Sequence, residues 1–195
     1  TMANNKRKVC VLFGGRSVEH EISMISAIQL IEALDREIYE VIPVYIAQSG
    51  KWYTDKELVK KDFYRGLPAC LEQLTEVTLL PKPGVGGLTV LARNKSIFSR
   101  VFSGDDIIPV DVFIPAFHGT YGEDGCIQGL LEMADMPYAS SDVLSSAVAM
   151  NKGICKAVAN QNGIPVLPFT LVSKKEVANG ISAVREKIFS TPEIG

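Results

Sequence analysis

The sequence predicts an α/β fold, an open and mostly parallel sheet with flanking helices, and three observations carry that expectation. Val9-Cys10-Val11-Leu12-Phe13 is an unbroken apolar run, the pattern of a strand buried on both faces. A stretch with apolar residues at helical spacing follows, and then Tyr-Glu-Val-Ile-Pro-Val-Tyr-Ile at 39–46, rich in β-branched and aromatic residues. Residues 110–117 repeat the first pattern, an apolar strand that again runs into a glycine-rich polar loop. Strand, helix, strand makes a right-handed βαβ unit the default connection.

The first strand stops at Gly14-Gly15, where the chain can turn sharply and a ligand can approach bare backbone. Met24, Ala27, Ile28, Ile31 and Leu34 then form the stripe of an amphipathic helix of roughly four turns. Pro43 inside the second strand suggests an edge or a bulge. Between 47 and 108 periodicity fades. Two short strand-like runs, 77–80 and 88–91, flank a Pro/Gly-rich loop and predict an insertion with a small hairpin, in which the lone Trp52 is a packing residue. After the strand at 110–117, Ile127, Leu130, Leu131 and Ala134 predict a helix closed by Met136-Pro137. Residues 143–150 are apolar and small, 156–162 continue a helical pattern that Gly163 and Pro165 stop, 169–172 read as a strand, and 174–188 as a helix. The boundary between a first and a second unit is expected at 140/141.

Composition removes several classes of function. At 195 residues, 47% hydrophobic and 22% charged, the chain has the make-up of an ordinary globular protein. A net charge of −2, with only Lys6-Arg7-Lys8 as a basic cluster, leaves no electrostatic footprint for nucleic acid. No apolar run reaches the roughly 18 residues of a membrane span, and the polar opening lacks the pattern of a signal peptide, so a cytoplasmic location is expected. The four cysteines, Cys10, Cys70, Cys126 and Cys155, form no Cys-x-x-Cys pair. Cys10, Cys126 and Cys155 read as small buried hydrophobes in a reducing compartment.

Chemistry is expected where the strands end, because ligands of open α/β sheets lie beyond their carboxyl ends. The first glycine pair lacks the later glycine of Gly-x-Gly-x-x-Gly and the Gly-Lys-Ser/Thr ending of a phosphate loop, which argues against a nucleotide site there. With Glu19, His20 and Glu21 beside a helix N-terminus, the junction suits a zwitterion such as an amino acid. Glu19 is either a ligand-holding carboxylate or a charge that complements the helix dipole. His118 follows the second buried strand and either points into the same crevice, the reading favoured here, or hydrogen-bonds its own loop, whereas for His20 a structural hydrogen bond is at least as well supported as a functional role. Glu123-Asp124 before Gly125 reads as a turn and helix N-cap. Lys152 is the sole basic residue in an uncharged stretch, either a phosphate contact or a solvated lysine.

Three segments carry a resemblance: Phe13-Gly14-Gly15-Arg16-Ser17-Val18-Glu19-His20-Glu21-Ile22-Ser23, His118-Gly119-Thr120-Tyr121-Gly122-Glu123-Asp124-Gly125 and Met150-Asn151-Lys152. Together they resemble the D-alanine–D-alanine ligases of the ATP-grasp superfamily, in the longer form given the insertion with Gly50-Lys51-Trp52. The resemblance implies three α/β domains, of which this chain carries a preATP-grasp-like substrate-binding domain, residues 1–140, and the beginning of the central ATP-grasp domain, residues 141–195. It implies that Glu19 holds the ammonium of the first D-alanine and that His118 lies beside that substrate, which makes these two the catalytic residues. It further implies that Gly14, Gly15 and Ser17 complete the substrate site, and that Lys152 reaches the phosphates of ATP. The implied reaction phosphorylates the first D-alanine with ATP and lets the amine of the second attack the acyl phosphate, for peptidoglycan synthesis. Magnesium is implied as a cofactor, with its ligands and most ATP contacts beyond residue 195, so this chain alone is expected to be inactive. A homodimer through the first domain is implied as well. Asn151 stands where the family usually has aspartate, and Ser140-Ser141-Asp142 stands in place of a more glycine-rich linker. The alternatives are a ligase that takes D-lactate or D-serine second, and a non-catalytic amino-acid-binding or dimerisation module.

Overall fold

The computed structural model describes residues 6–91 and 106–190. They fall into two compact units, 1–150 and 151–195. The division lies ten residues past the expected 140/141, because a helix at Val143–Met150 packs with the first unit: Gly125 sits directly against Val143.

In the first unit, seven strands among the described residues form one sheet: β1 (Arg7–Gly14), β2 (Tyr39–Ile46), β3 (Trp52–Thr54), β4 (Thr75–Thr78), β5 (Gly87–Val90), β6 (Ile107–Pro109) and β7 (Val112–Pro115). Their order is β6-β5-β4-β3-β2-β1-β7. β2 and β7 flank β1 in parallel, and the strands from β3 to β6 add an antiparallel meander, so the sheet is mixed. The meander is the expected insertion, and its β4–β5 hairpin is where the Pro/Gly-rich loop predicted one. β6 was not foreseen, since its three residues are too few to show a period.

β1 explains its own unbroken apolar run. Val9, Val11 and Phe13 pack on one face with Ala27 and Ile31 of helix α1 (His20–Ala33). Cys10 and Leu12 pack on the other with Ile127 and Leu131 of helix α2 (Cys126–Met133). Alternate side chains thus enter two different cores, and all five are at most 1% exposed. Pro43 lies in an interior strand instead of at an edge. The ladder to β3 begins only at Val44, one residue later, so no hydrogen bond is missed on that side, and the carbonyl of Pro43 accepts from the Thr54 hydroxyl at 2.8 Å. Trp52 packs against the α2-side core, as expected. Three short 3-10 helices, Lys56–Val59, Lys61–Gly66 and Ala69–Gln73, cover the α1 side and bring Leu58 and Leu74 into that core. Single turns are too short to show a repeat, which is why periodicity fades there. Of the cysteines, Cys10 is buried but Cys126 is exposed and Cys155 half-buried, contrary to expectation: Ile127, Gln128 and Leu131 take the buried side of α2, and in the second unit no described hydrophobic residue is buried.

One side chain ties the strand ends together. Ser23 of α1, wholly buried, accepts the Gly14 N–H at 2.9 Å and donates to the Ala116 carbonyl at 2.7 Å, joining β1, α1 and the segment after β7.

In the second unit, Asn151 caps helix α4 (Lys152–Gln161) by accepting the Ile154 N–H at 3.1 Å, which an aspartate would do equally well. Helix α3 is the Val143–Met150 segment of the first unit. The expected helix at 174–188 is two, α5 (Lys174–Ala178) and α6 (Ile181–Phe189), interrupted at Asn179-Gly180. The expected strand at 169–172 is irregular, since no neighbouring strand among the described residues pairs with it.

Replacing Ser23 with alanine leaves a buried N–H and a buried carbonyl unpaired, so it should lower the unfolding free energy by about 2–3 kcal/mol. Urea unfolding should show this as a lower midpoint at unchanged slope.

Candidate functional site

The parallel strands β1 and β7 both deliver their following loops to the same edge of the sheet. Gly14 can sit at the end of β1 because it has φ +87° and because a Cβ there would lie 2.4 Å from the Ile46 carbonyl oxygen. Its N–H and that of Gly15 are both engaged, the latter with the Ile46 carbonyl at 2.7 Å. The two glycines therefore shape the site, and their amides are not donors to a ligand. Among the described residues the next three amides, those of Arg16, Ser17 and Val18, meet no protein acceptor, as expected for the approach to a helix N-terminus.

Ser17 is buried and joins the two loops. Its hydroxyl donates to the His118 carbonyl at 2.6 Å and accepts the Glu19 N–H at 3.1 Å. That clasp brings Glu19 and His118 into one site. Glu19 is exposed and its carboxylate lies against Gly119: a Cβ on Gly119 would come within 2.3 Å of Glu19 Oε2, and φ there is +78°. Glu123 holds the same glycine from the other side, its Oε2 accepting the Gly119 N–H at 2.7 Å, while its Oε1 is 3.9 Å from His118 Nδ1. His118 Nε2 is 2.8 Å from the hydroxyl of Ser26 on α1. Two carboxylates and a half-exposed imidazole thus surround one backbone position. This arrangement suits a cationic amine, with the free amides of 16–18 close by for an anionic group.

Neighbouring side chains hold the scaffold. His20 is buried; its Nδ1 is 2.6 Å from the Gly15 carbonyl, which can only accept, so Nδ1 carries the proton and Nε2 accepts from the Tyr45 hydroxyl at 2.9 Å. Burial first, then the nearby Cys70 and Tyr53, pushes the Tyr45 hydroxyl up to about 12, which keeps it a donor. His20 is structural, one of the two roles its sequence context left open. Asp124 accepts from the amides of Tyr121 and Cys126, at 2.8 and 3.1 Å. Desolvation opposes its ionisation, but these amides outweigh it and hold the carboxyl below the ordinary range. Asp124 is the turn-forming residue, while Glu123, also read as structural, sits within the site. A separate cavity of about 230 Å³ shares Gly15 and is lined mainly by apolar groups, Trp52, Phe117, Ile127 and the Arg16–Tyr121 pair, whose guanidinium lies 5.1 Å from the ring centre. Lys152, in the second unit, is exposed on the first turn of α4. Among the described residues no group of three or more His, Cys, Asp or Glu side chains is placed to hold a metal ion, and no role here is assigned to one.

Sequence reasoning missed Ser23 and Ser26, and it read Glu123 as a turn or cap residue without its place beside His118. Ser23 and Ser26 lie four and seven positions after Glu19, and that spacing was the available signal for a shared helix face.

Residues 8–141, which hold both loops, match the family described as D-ala D-ala ligase N-terminus. The chain belongs to the D-alanine–D-alanine ligase family. It is 39% identical over 183 residues to the D-alanine–D-alanine ligase of Thermoanaerobacter sp. (strain X514), covering 94% of this chain and 47% of that relative. It is 40% identical over 164 residues to the D-alanine–D-alanine ligase of Bifidobacterium animalis subsp. lactis, covering 84% and 42%. Among solved structures, the D-alanine–D-alanine ligase from Coxiella burnetii superposes with a TM-score of 0.72 at 30% identity, covering 93% of this chain and 48% of that one. The VanG D-Ala:D-Ser ligase from Enterococcus faecalis superposes with a TM-score of 0.70 at 28% identity, covering 93% and 48%. The chain therefore spans about half the length of these ligases.

The two site glycines should respond differently to a methyl group. Gly119→Ala meets chiefly the movable end of Glu19, with Ser17 Cβ 3.2 Å away, so its cost is mainly the left-handed backbone, about 1–2 kcal/mol. Gly14→Ala meets a fixed carbonyl in addition and should cost about 3 kcal/mol or more. Urea unfolding of both variants, with and without Glu19→Ala, checks this: removing Glu19 should leave both penalties nearly unchanged.

Proposed function

We propose that the chain is the first-substrate part of an ATP-dependent ligase that joins two D-alanines into D-alanyl-D-alanine for peptidoglycan synthesis. The observation that carries this reading is the exposed Glu19 carboxylate held against Gly119 beside His118, where the ends of β1 and β7 meet within the family match. Glu19 accepts hydrogen bonds from the ammonium of the first D-alanine and orients it, with His118 alongside. The amides of 16–18 face negative charge developing on the reacting oxygens. The first carboxylate receives a phosphoryl group from ATP, the amine of the second D-alanine attacks the acyl phosphate, and phosphate leaves from the tetrahedral intermediate. In this reading Lys152 contacts the ATP phosphates, magnesium is held by groups outside these 195 residues, and the enzyme is a cytoplasmic homodimer through its first domain. Among the described residues no helix is long and apolar enough to cross a membrane.

A second reading keeps the site and changes the second substrate to D-serine, as in the VanG D-Ala:D-Ser ligase. Analysis of the dipeptide or depsipeptide formed with each candidate second substrate separates the two.

In the full-length enzyme, Glu19→Gln removes a charge-assisted hydrogen bond worth about 1.5–3 kcal/mol, so KM for the first D-alanine should rise about 10- to 100-fold. Steady-state kinetics measure it, and an unchanged KM would remove Glu19 from the substrate site.

A further inference from the structure

We infer that Ser26 is a positioning residue for His118, fixing its ring from α1 with the Nδ1 edge toward Glu123. The inference rests on the amino-acid-binding reading of the Glu19–His118 site. The contact joins residues far apart in sequence: Ser26 lies in the second turn of α1, His118 on the loop after β7, and hydroxyl and Nε2 are 2.8 Å apart. The backbone of His118 is already fixed by the Ser17 hydroxyl on its carbonyl, so Ser26 adds what that clasp cannot, the rotation of the ring.

The chemistry of the partners sets the direction of the bond. Among the described residues the carboxylate in ion-pair range of the ring is that of Glu123, 3.9 Å from Nδ1, which favours the tautomer with its proton on Nδ1. Nε2 is then an acceptor and Ser26 donates to it. The other carboxylate at this position, that of Glu19 just before α1, lies against Gly119. A ring free to turn by half a revolution would exchange its nitrogens between a carboxylate and a hydroxyl. The serine makes one of these orientations the preferred one, so that a substrate beside Glu19 meets the same face of the imidazole each time.

The test uses the 195-residue chain, which has only two histidines, His20 and His118. In long-range nitrogen–proton spectra of ¹⁵N-histidine-labelled protein above the titration range, His118 should show a protonated Nδ1 and an unprotonated Nε2. Ser26→Val should shift both nitrogens toward the average of the two tautomers, while Ser26→Thr, which keeps the hydroxyl at nearly the volume of valine, should retain the wild-type pattern. His20, with its own partners, should be unchanged in all three and reports that each variant is folded. Mixed tautomers in the wild type, or a valine variant identical to it, would overturn the inference.

In the full-length enzyme, Ser26→Val should raise KM for the first D-alanine about three- to tenfold with kcat nearly unchanged, and Ser26→Thr should restore it. A lower kcat at constant KM would instead mark a loss of folded enzyme and count against positioning. If the spectra respond as stated while no kinetic constant for D-alanine moves, the ring is positioned but the substrate reading of the site fails.

Discussion

The wholly buried hydroxyl of Ser23 is the constraint on which the strand ends depend. It takes the amide of Gly14 and gives its proton to the carbonyl of Ala116. At these points two parallel strands leave their ladder, and each would otherwise bury an unpaired backbone group. One small side chain from the following helix satisfies both at once, which requires α1 to begin close behind the glycine pair. The sharp turn at Gly14 follows from that demand, and so does the burial of His20, whose ring fills the space beneath the turn between the Gly15 carbonyl and Tyr45. The loops above can then be short and still converge.

Convergence is completed by a second serine. Ser17 reaches across to the His118 carbonyl, so the loop after β7 is hung from the loop after β1 and not from its own strand alone. The antiparallel meander from β3 to β6 takes no part in this. It enlarges the sheet on the far edge of β2, and its contribution near the site is indirect, through Trp52 and the wall of the adjoining cavity. The mixed sheet is therefore a parallel three-stranded platform that carries both loops of the candidate site, extended by an insertion that widens its support.

The division between platform and insertion also sets what could be read in the sequence. β1, α1, β2 and α2 announce themselves, because long elements packed in two cores leave long periodic patterns: the run from Val9 to Phe13 and the stripe from Met24 to Leu34. The 3-10 turns at 56–73 and the three-residue β6 leave none. Glu19 and His118 were legible as residues at strand ends, with the family resemblance giving them roles. Ser23 and Ser26 were not, because a serine has no pattern of its own and is defined by whatever lies opposite it in three dimensions. Cys126 shows the converse error: an apolar context suggested burial, but in the first turn of α2 the buried positions are Ile127 and Gln128, and Cys126 lies on the exposed side. Helix 174–188 was read as continuous because its composition permits it, and only Gly180 marks the break.

The electrostatics of the site limit what this part of the molecule does by itself. Glu123 is engaged with the Gly119 amide and stands near His118, so its charge is partly answered within the loop. Glu19 is also exposed, and among the described residues no donor is bonded to its carboxylate, which lies against Gly119. An exposed carboxylate and an ammonium attract each other by only about 0–1 kcal/mol in water, too little to select one small amino acid from others. The same pair, removed from water and supplemented by hydrogen bonds, becomes several times stronger and sensitive to geometry. In the proposed function, selectivity for the first substrate therefore requires that Glu19 be covered when the amine is bound. The clasp of Ser17, the ring of His118 and the amides of 16–18 provide a floor against which such a cover can close. For the proposed reaction the rigidity of that floor matters more than its intrinsic affinity, because a carboxylate that moved with its loop would lose the orientation that such a reaction needs.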